Sequence, residues 1–184
     1  MIIGLCGQKG SGKSEVARIL VQNHGFTELA FADPLKEALV SVFGFSAEQL
    51  YGNLKETVDP YWNVTPREVL QVVGTELFRD ALPRFIPSLD HVWLRAMHKR
   101  LKELAGQNIV VSDIRFPDEL ALVLGTIWRV DRPSGDNPSA TQFTSHATEQ
   151  LVCSNPSAIV NNDGPLADLE RKVDTIYEAQ RQPM

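Results

Sequence analysis

Gly7-Gln8-Lys9-Gly10-Ser11-Gly12-Lys13-Ser14 fits G-x-x-x-x-G-K-[S/T], a spacing suited to holding a phosphate chain. Glycines let the backbone curl round an anion with its N–H groups inward, at the positive end of the helix that follows. Lys13 then reaches the β/γ-phosphates, and the Ser14 hydroxyl is placed to ligate magnesium. Gly7, Lys9, Gly10, Ser11, Gly12, Lys13, Ser14 and Glu15 are therefore the candidate contacts to a nucleoside triphosphate and its Mg2+. Ser112-Asp113-Ile114-Arg115 makes a second candidate group, after the apolar run Ile109-Val110-Val111. Asp113 is either a magnesium-shell acid or an ordinary helix cap. Arg115 offers a planar fork suited to phosphate, or else a solvated charge.

The elements that must carry these groups follow from pattern. An apolar strand precedes the glycine loop, and a helix former run from Glu15 to Val21 follows it. Residues 28–32 read as a second strand. Asp33-Pro34 reads as a helix start with Asp33 as N-cap. Thr65-Pro66-Arg67-Glu68 is a capping-box match and predicts a helix over 66–80. Pro83 and Pro87 are expected to break the chain before a helix over 90–104. Strands at 108–113, 126–130 and 158–160, and helices from Asp118 and over 165–180, complete an alternation of strand and helix. That alternation predicts an α/β fold with a doubly wound, five-stranded parallel sheet, its site at the strands' C-terminal ends. The expected single domain has a core over 1–44 and 107–184, a helical insertion over about 45–106, and a Ser/Pro-rich lid over about 132–146.

On a helical wheel, Val69, Leu70, Val73 and Leu77 form a core stripe, while Arg67, Gln71, Gly74, Thr75 and Phe78 lie opposite, flanked by Glu76 and Arg79. A mid-helix glycine costs about 1 kcal/mol relative to alanine, so Gly74 suggests a surface where a ring or sugar packs. Arg67 and Gln71 can then read an acceptor's phosphate and base; a plain polar face is the alternative. Asp33 and Lys36 follow the second strand, as cap or as acceptor contacts. Arg129 and Arg132 flank the lid, and Arg132 is the better candidate to close over a moving phosphoryl group.

The chain of 184 residues carries a net charge of -5, which leaves no basic footprint for nucleic acid. Cys6 and Cys153 lie far apart in sequence, so neither a disulfide nor a metal site is expected, and a reducing cytoplasm fits. No apolar run is long enough for a membrane span. A homodimer is left open, since the aromatics between Tyr51 and Trp62 can cover an interface as well as a substrate. A switch GTPase is disfavoured by the lack of Asn-Lys-x-Asp, and a motor subunit by the lack of a basic tract. A binding-only nucleotide module stays open.

Beyond these readings, several segments together resemble a family. They are the opening Ile-Ile-Gly-Leu-Cys-Gly-Gln-Lys-Gly-Ser-Gly-Lys-Ser, Phe31-Ala32-Asp33-Pro34-Leu35-Lys36, Thr65-Pro66-Arg67-Glu68-Val69-Leu70-Gln71 with Gly74-Thr75-Glu76, Ser112 to Glu119, and Ile159 to Gly164. The set is similar to the bacteriophage-type deoxynucleoside monophosphate kinases, of the P-loop kinase fold. That resemblance implies transfer of the γ-phosphoryl of ATP to a nucleoside monophosphate, both small-molecule partners. It implies Lys13, Asp33, Arg115 and Arg132 as catalytic groups, and Asn162 and Gly164 beside the donor adenine. It also implies acceptor contacts from Asp33, Lys36, Arg67, Gln71, Gly74, Thr75, Arg79, Arg115 and Glu119, with Ser14 and Asp113 on the metal. The chain departs from the usual His-x-Ser-Glu after the lid, with His146-Ala147-Thr148-Glu149. Dephospho-coenzyme A kinase is the alternative within the fold.

Overall fold

The structure is a computed structural model, described here for residues 1–8, 10–123, 125–133 and 154–181. It divides into two compact units, Met1–Ala30 with Glu103–Met184, and Phe31–Lys102.

The first unit is built on a parallel sheet of β1 (Ile2–Cys6), β2 (Thr27–Leu29), β3 (Ile109–Val111), β4 (Thr126–Asp131) and β5 (Ala158–Asn161), in the order β2-β3-β1-β4-β5. β1 and β3 are apolar runs because helices cover both faces of a parallel sheet. Val110 and Val111 of β3, and Ile3, Leu5 and Cys6 of β1, are buried. Helix α1 (Lys13–His24) packs Val16 and Leu20 onto Ile3, Leu5 and Val110; α8 (Leu166–Arg181) adds Leu169, Val173 and Tyr177. Gly25 ends α1 in the left-handed region, φ 66°, and Phe26 donates to Leu20 O at 3.3 Å. The register Gly4↔Val111 carries β1 and β3 out at the same edge, so the glycine loop and residues 112–115 leave adjacent strands side by side. α7 (Pro117–Leu122) follows β3.

The second unit is helical: α2 (Asp33–Phe43), α3 (Ala47–Tyr51), a 3-10 turn at Asn53–Glu56, α4 (Pro66–Gln71), a π-helical stretch Val72–Ala81, α5 (Leu82–Phe85), a 3-10 turn at Pro87–Leu89, and most of α6 (Val92–Glu103). Leu35, Leu39, Phe45, Leu50 and Val69 form its core. Both capping boxes are made, Ser46 with Gln49 and Thr65 with Glu68.

Four local expectations fail. The helix from Pro66 runs through residue 81, but from Val72 its bonds shift to i→i+5, so the α-wheel no longer places side chains; Leu77 is 50% exposed, outside the core. Pro83 lies inside a helical run that continues through it to Phe85, so it does not break the chain; the break comes after Phe85, ahead of Pro87. Asp33 is the first residue of α2 and Ala32 its cap, with no side-chain cap bond. Cys6 is disulfide-bonded, against the expectation of no disulfide. Among the described residues, no helix is long and apolar enough to cross a membrane.

Candidate active site

The glycine loop turns through three left-handed glycines, Gly7 at φ 143°, Gly10 at 79° and Gly12 at 104°, which strain a residue with a side chain. Gly12 is the N-cap of α1 and carries no capping side chain, so the helix's first amides and its dipole are offered to an anion. A Cβ on Gly12 would collide with Asn162 Nδ2. Lys13 Nζ donates to Gly7 O and Gln8 O, both at 2.8 Å, spanning the loop. The Ser11 hydroxyl is buried and has no hydrogen-bond partner among the described residues, an orphan that a phosphate oxygen would satisfy. The side chain of Glu15, an expected donor contact, accepts from Arg18 Nε at 2.8 Å. Lys9 lies outside the described residues.

Asn162 does more than the resemblance implied. Its Nδ2 donates to Ser11 O at 2.9 Å, and its backbone N–H donates to Asp131 O at 2.7 Å. Lys172 of α8 donates to Asn161 O at 2.9 Å and bonds the Asp163 carboxylate, which lies below its ordinary pKa chiefly because of that bond. The loop carrying Asn162 is thus fastened to the sheet and to α8. Gly164 is exposed at its end.

Past β3, Asp113 is half-buried and Arg115 exposed. Glu119 is only 3% exposed, and its carboxylate accepts from Arg115 N at 2.8 Å and Phe116 N at 3.2 Å. Glu119 therefore shapes the turn that presents Arg115. On β4, Arg129 Nε binds Asp131 Oδ2 at 3.0 Å, which commits that arginine to the strand. Arg132 is exposed just beyond it; residues 134–146 of the expected lid, with His146 and Glu149, lie outside the described residues.

In the helical unit, Asp33 faces Arg100 Nη1 at 3.8 Å, and Arg100 Nη2 binds Glu37 at 2.7 Å. Lys36 Nζ stands 3.9 Å from the centre of the Tyr51 ring. The Tyr51 hydroxyl is held above its ordinary pKa, first by burial and then by the negative charges of Asp33 and Glu37. Arg100 was missed in the sequence, since it lies far along the chain from Asp33 and carries no motif; Tyr51 stood there among the aromatics open to either a substrate or an interface. Arg67 Nε binds Glu56 Oε1 at 2.7 Å. Gln71, Gly74, Thr75 and Arg79 are half-buried along the same continuous helix. Packing within the unit accounts for Gly74: a Cβ there would lie 2.7 Å from Leu35 Cδ2, and Trp93 Nε1 donates to Gly74 O at 2.8 Å.

No group of three or more metal-ligating side chains exists among the described residues. Magnesium does not need one, because it is usually held by one or two protein oxygens plus substrate phosphates. The hydroxyl of Ser14 and the carboxylate of Asp113 are hard oxygen donors of the kind it takes.

A parallel sheet of order β2-β3-β1-β4-β5, with a glycine-rich anion loop between β1 and α1, defines a P-loop kinase, a phosphotransferase. The chain is 40% identical over 175 residues to the "Putative deoxynucleotide monophosphate kinase" of Acanthamoeba polyphaga mimivirus, covering 86% of this chain and 90% of that one. It belongs to the deoxynucleotide monophosphate kinase family. It is also 31% identical over 157 residues to a dephospho-CoA kinase of Synechococcus, covering 83% of this chain and 57% of the relative. Among solved structures, the dephospho-CoA kinase from Campylobacter jejuni shares the fold, with a TM-score of 0.50, 14% identity, and coverage of 97% of this chain and 96% of that one. No family model matches.

Proposed function

We propose that this chain transfers the γ-phosphoryl group of ATP to a deoxynucleoside monophosphate. The observation that carries the donor half is the loop itself: three left-handed glycines, an uncapped helix start, Lys13 across the mouth, and a buried Ser11 hydroxyl without a partner. Family membership supports the acceptor half.

The acceptor phosphate is already an anion, its second pKa near ~6, so no strong general base is needed. Positioning and charge neutralisation supply the rate. The N–H groups of Gly10, Gly12 and Lys13 hold the donor phosphates, and the Lys13 ammonium neutralises charge as it shifts to the leaving oxygen. Asn162 and Gly164 border the donor base. Arg115 and Arg132 meet charge on the phosphoryl group in flight. Asp33, Lys36, Arg67, Gln71, Gly74, Thr75 and Arg79 make up the acceptor's surroundings, with Arg100 fixing Asp33 and Glu119 fixing Arg115. Ser14 and Asp113 would hold Mg2+, which supplies charge neutralisation between the phosphates when bound. A cytoplasmic location rests on its nucleotide substrates alone, because the Cys6 disulfide removes the argument from unpaired cysteines.

A second reading, phosphorylation of dephospho-coenzyme A, is favoured by the 31% identity to a dephospho-CoA kinase. One assay separates the two. ADP release is followed with Mg-ATP and a panel of ribo- and deoxynucleoside monophosphates and dephospho-coenzyme A. Turnover with at least one deoxynucleoside monophosphate is expected; turnover with dephospho-coenzyme A alone would overturn the main reading.

A further inference from the structure

We propose that Asn162 is a positioning residue that locks the Ser11–Gly12 peptide in its anion-binding orientation. The proposal rests on the donor assignment above. It concerns which way one peptide faces.

A trans peptide carries its C=O and N–H on opposite sides, and the chain has no cis peptide bonds. Asn162 Nδ2 donates to Ser11 O at 2.9 Å. That bond holds the carbonyl toward Asn162 and turns the Gly12 N–H away from it. If the peptide rotated by half a turn, the carbonyl dipole would replace an amide in the anion cradle and repel phosphate. Glycine offers no resistance to such a rotation, since without a Cβ it populates both signs of φ. Gly12 needs its left-handed φ of 104° to close the loop, and the same freedom leaves the peptide unlocked. Asn162 supplies the lock from outside the loop.

The lock has a rigid mounting. The Asn162 backbone donates to Asp131 O at 2.7 Å, extending the β4–β5 pairing Asp131↔Asn161 by one bond. Lys172 holds the residues on either side, through Asn161 O and the Asp163 carboxylate. The Asn162 side chain also fills the space where a Gly12 Cβ would stand. The segment the resemblance places at the donor base is thereby bonded to the loop that receives the donor phosphates. Seating of one supports the shape of the other.

The test compares wild type, Asn162→Ala and Asn162→Asp for binding of ATP and of inorganic tripolyphosphate, each with magnesium, from pH 8 down to pH 5. Loss of a hydrogen bond to a buried carbonyl should weaken binding of both probes about tenfold in Asn162→Ala. In steady state the KM for ATP should rise, with the KM for the acceptor unchanged. Asn162→Asp keeps the shape and loses the donor, and its carboxylate faces the Ser11 carbonyl. It should bind worse than Asn162→Ala at pH 8. A carboxyl ionising beside a carbonyl dipole titrates above its ordinary ~3.9. On acidification the protonated acid regains a donor, so the ratio of its dissociation constant to that of wild type should fall toward one. The ratio for Asn162→Ala should stay flat, because titration of the probes cancels. Binding by Asn162→Asp within twofold of wild type at pH 8, or a flat ratio, overturns the lock and leaves the kinase reading standing. Wild type that binds neither ATP nor tripolyphosphate overturns both.

Discussion

The Glu119 carboxylate, nearly inaccessible to solvent, accepts the backbone N–H of Arg115 at 2.8 Å and that of Phe116 at 3.2 Å. One side chain therefore closes the first turn of α7 and fixes where the chain leaves β3. Glu119→Ala would take this acceptor from both donors, at about 1–3 kcal/mol for each that is left buried and unsatisfied. Glu119→Gln keeps one carbonyl acceptor and should lose less. Chemical denaturation of the two variants checks the order. Because Arg115 is presented by this turn, turnover should fall in Glu119→Ala while the KM for ATP changes little.

Lys13 bonds carbonyls of its own loop, Gly7 O and Gln8 O, and belongs to neither of the two hydrophobic clusters described above. Lys13→Ala should therefore unfold within a few degrees of wild type and lose turnover by about 10²-fold or more, the scale for removing a preorganised charge stabiliser. Paired thermal unfolding and ADP-release measurements give the answer. Turnover near the wild-type rate would remove Lys13 from the donor site.

Much of this was legible in the sequence. The glycine loop could be read because Gly7, Gly10, Gly12, Lys13 and Ser14 act through backbone conformation and local spacing, which a motif records. The five strands could be read because buried parallel strands are short apolar runs, such as Ile109-Val110-Val111. The pairing of Asn162 with Ser11 lay out of reach, since it joins residues 151 positions apart and depends on β4 and β5 being neighbours. Arg100 escaped for the same reason: its partners Asp33 and Glu37 sit at the other end of the helical unit. The π-helical stretch defeated the wheel, because nothing in residues 72–81 announces i→i+5 bonding.

Gly74 is hemmed in by Leu35, with 2.7 Å between Leu35 Cδ2 and an added Cβ. The crowding atom ends a flexible side chain, and alanine gains up to about 1 kcal/mol of helix propensity over glycine. Gly74→Ala should therefore cost no more than about 1–2 kcal/mol net. Gly74→Val, branched at Cβ, should cost more. Shortening the neighbour in Leu35→Val should shrink the penalty of Gly74→Ala, so the two changes should couple in a double-mutant cycle of thermal unfolding. Strict additivity would refute Leu35 as the constraint on position 74.

Glu68 at the start of α4 carries a pH signature. The Thr65 backbone N–H and the Thr65 hydroxyl both donate to its carboxylate, each at 2.8 Å, and hold its pKa below the ordinary value. The unfolded chain, with Glu68 near its ordinary ~4.3, takes up the proton first as pH falls. The stabilisation is thus fully present above that value and disappears as pH falls through the lower folded value. Asp59 adds a titration of the same sign, lowered first by the Trp62 backbone N–H and then by Gln49. Glu68→Gln retains a carbonyl oxygen for the capping box and cannot ionise. Its stability should vary less steeply with pH than that of wild type across the acid range, in urea titrations at successive pH values. Parallel curves for the two proteins would show that the box does not couple Glu68 ionisation to folding.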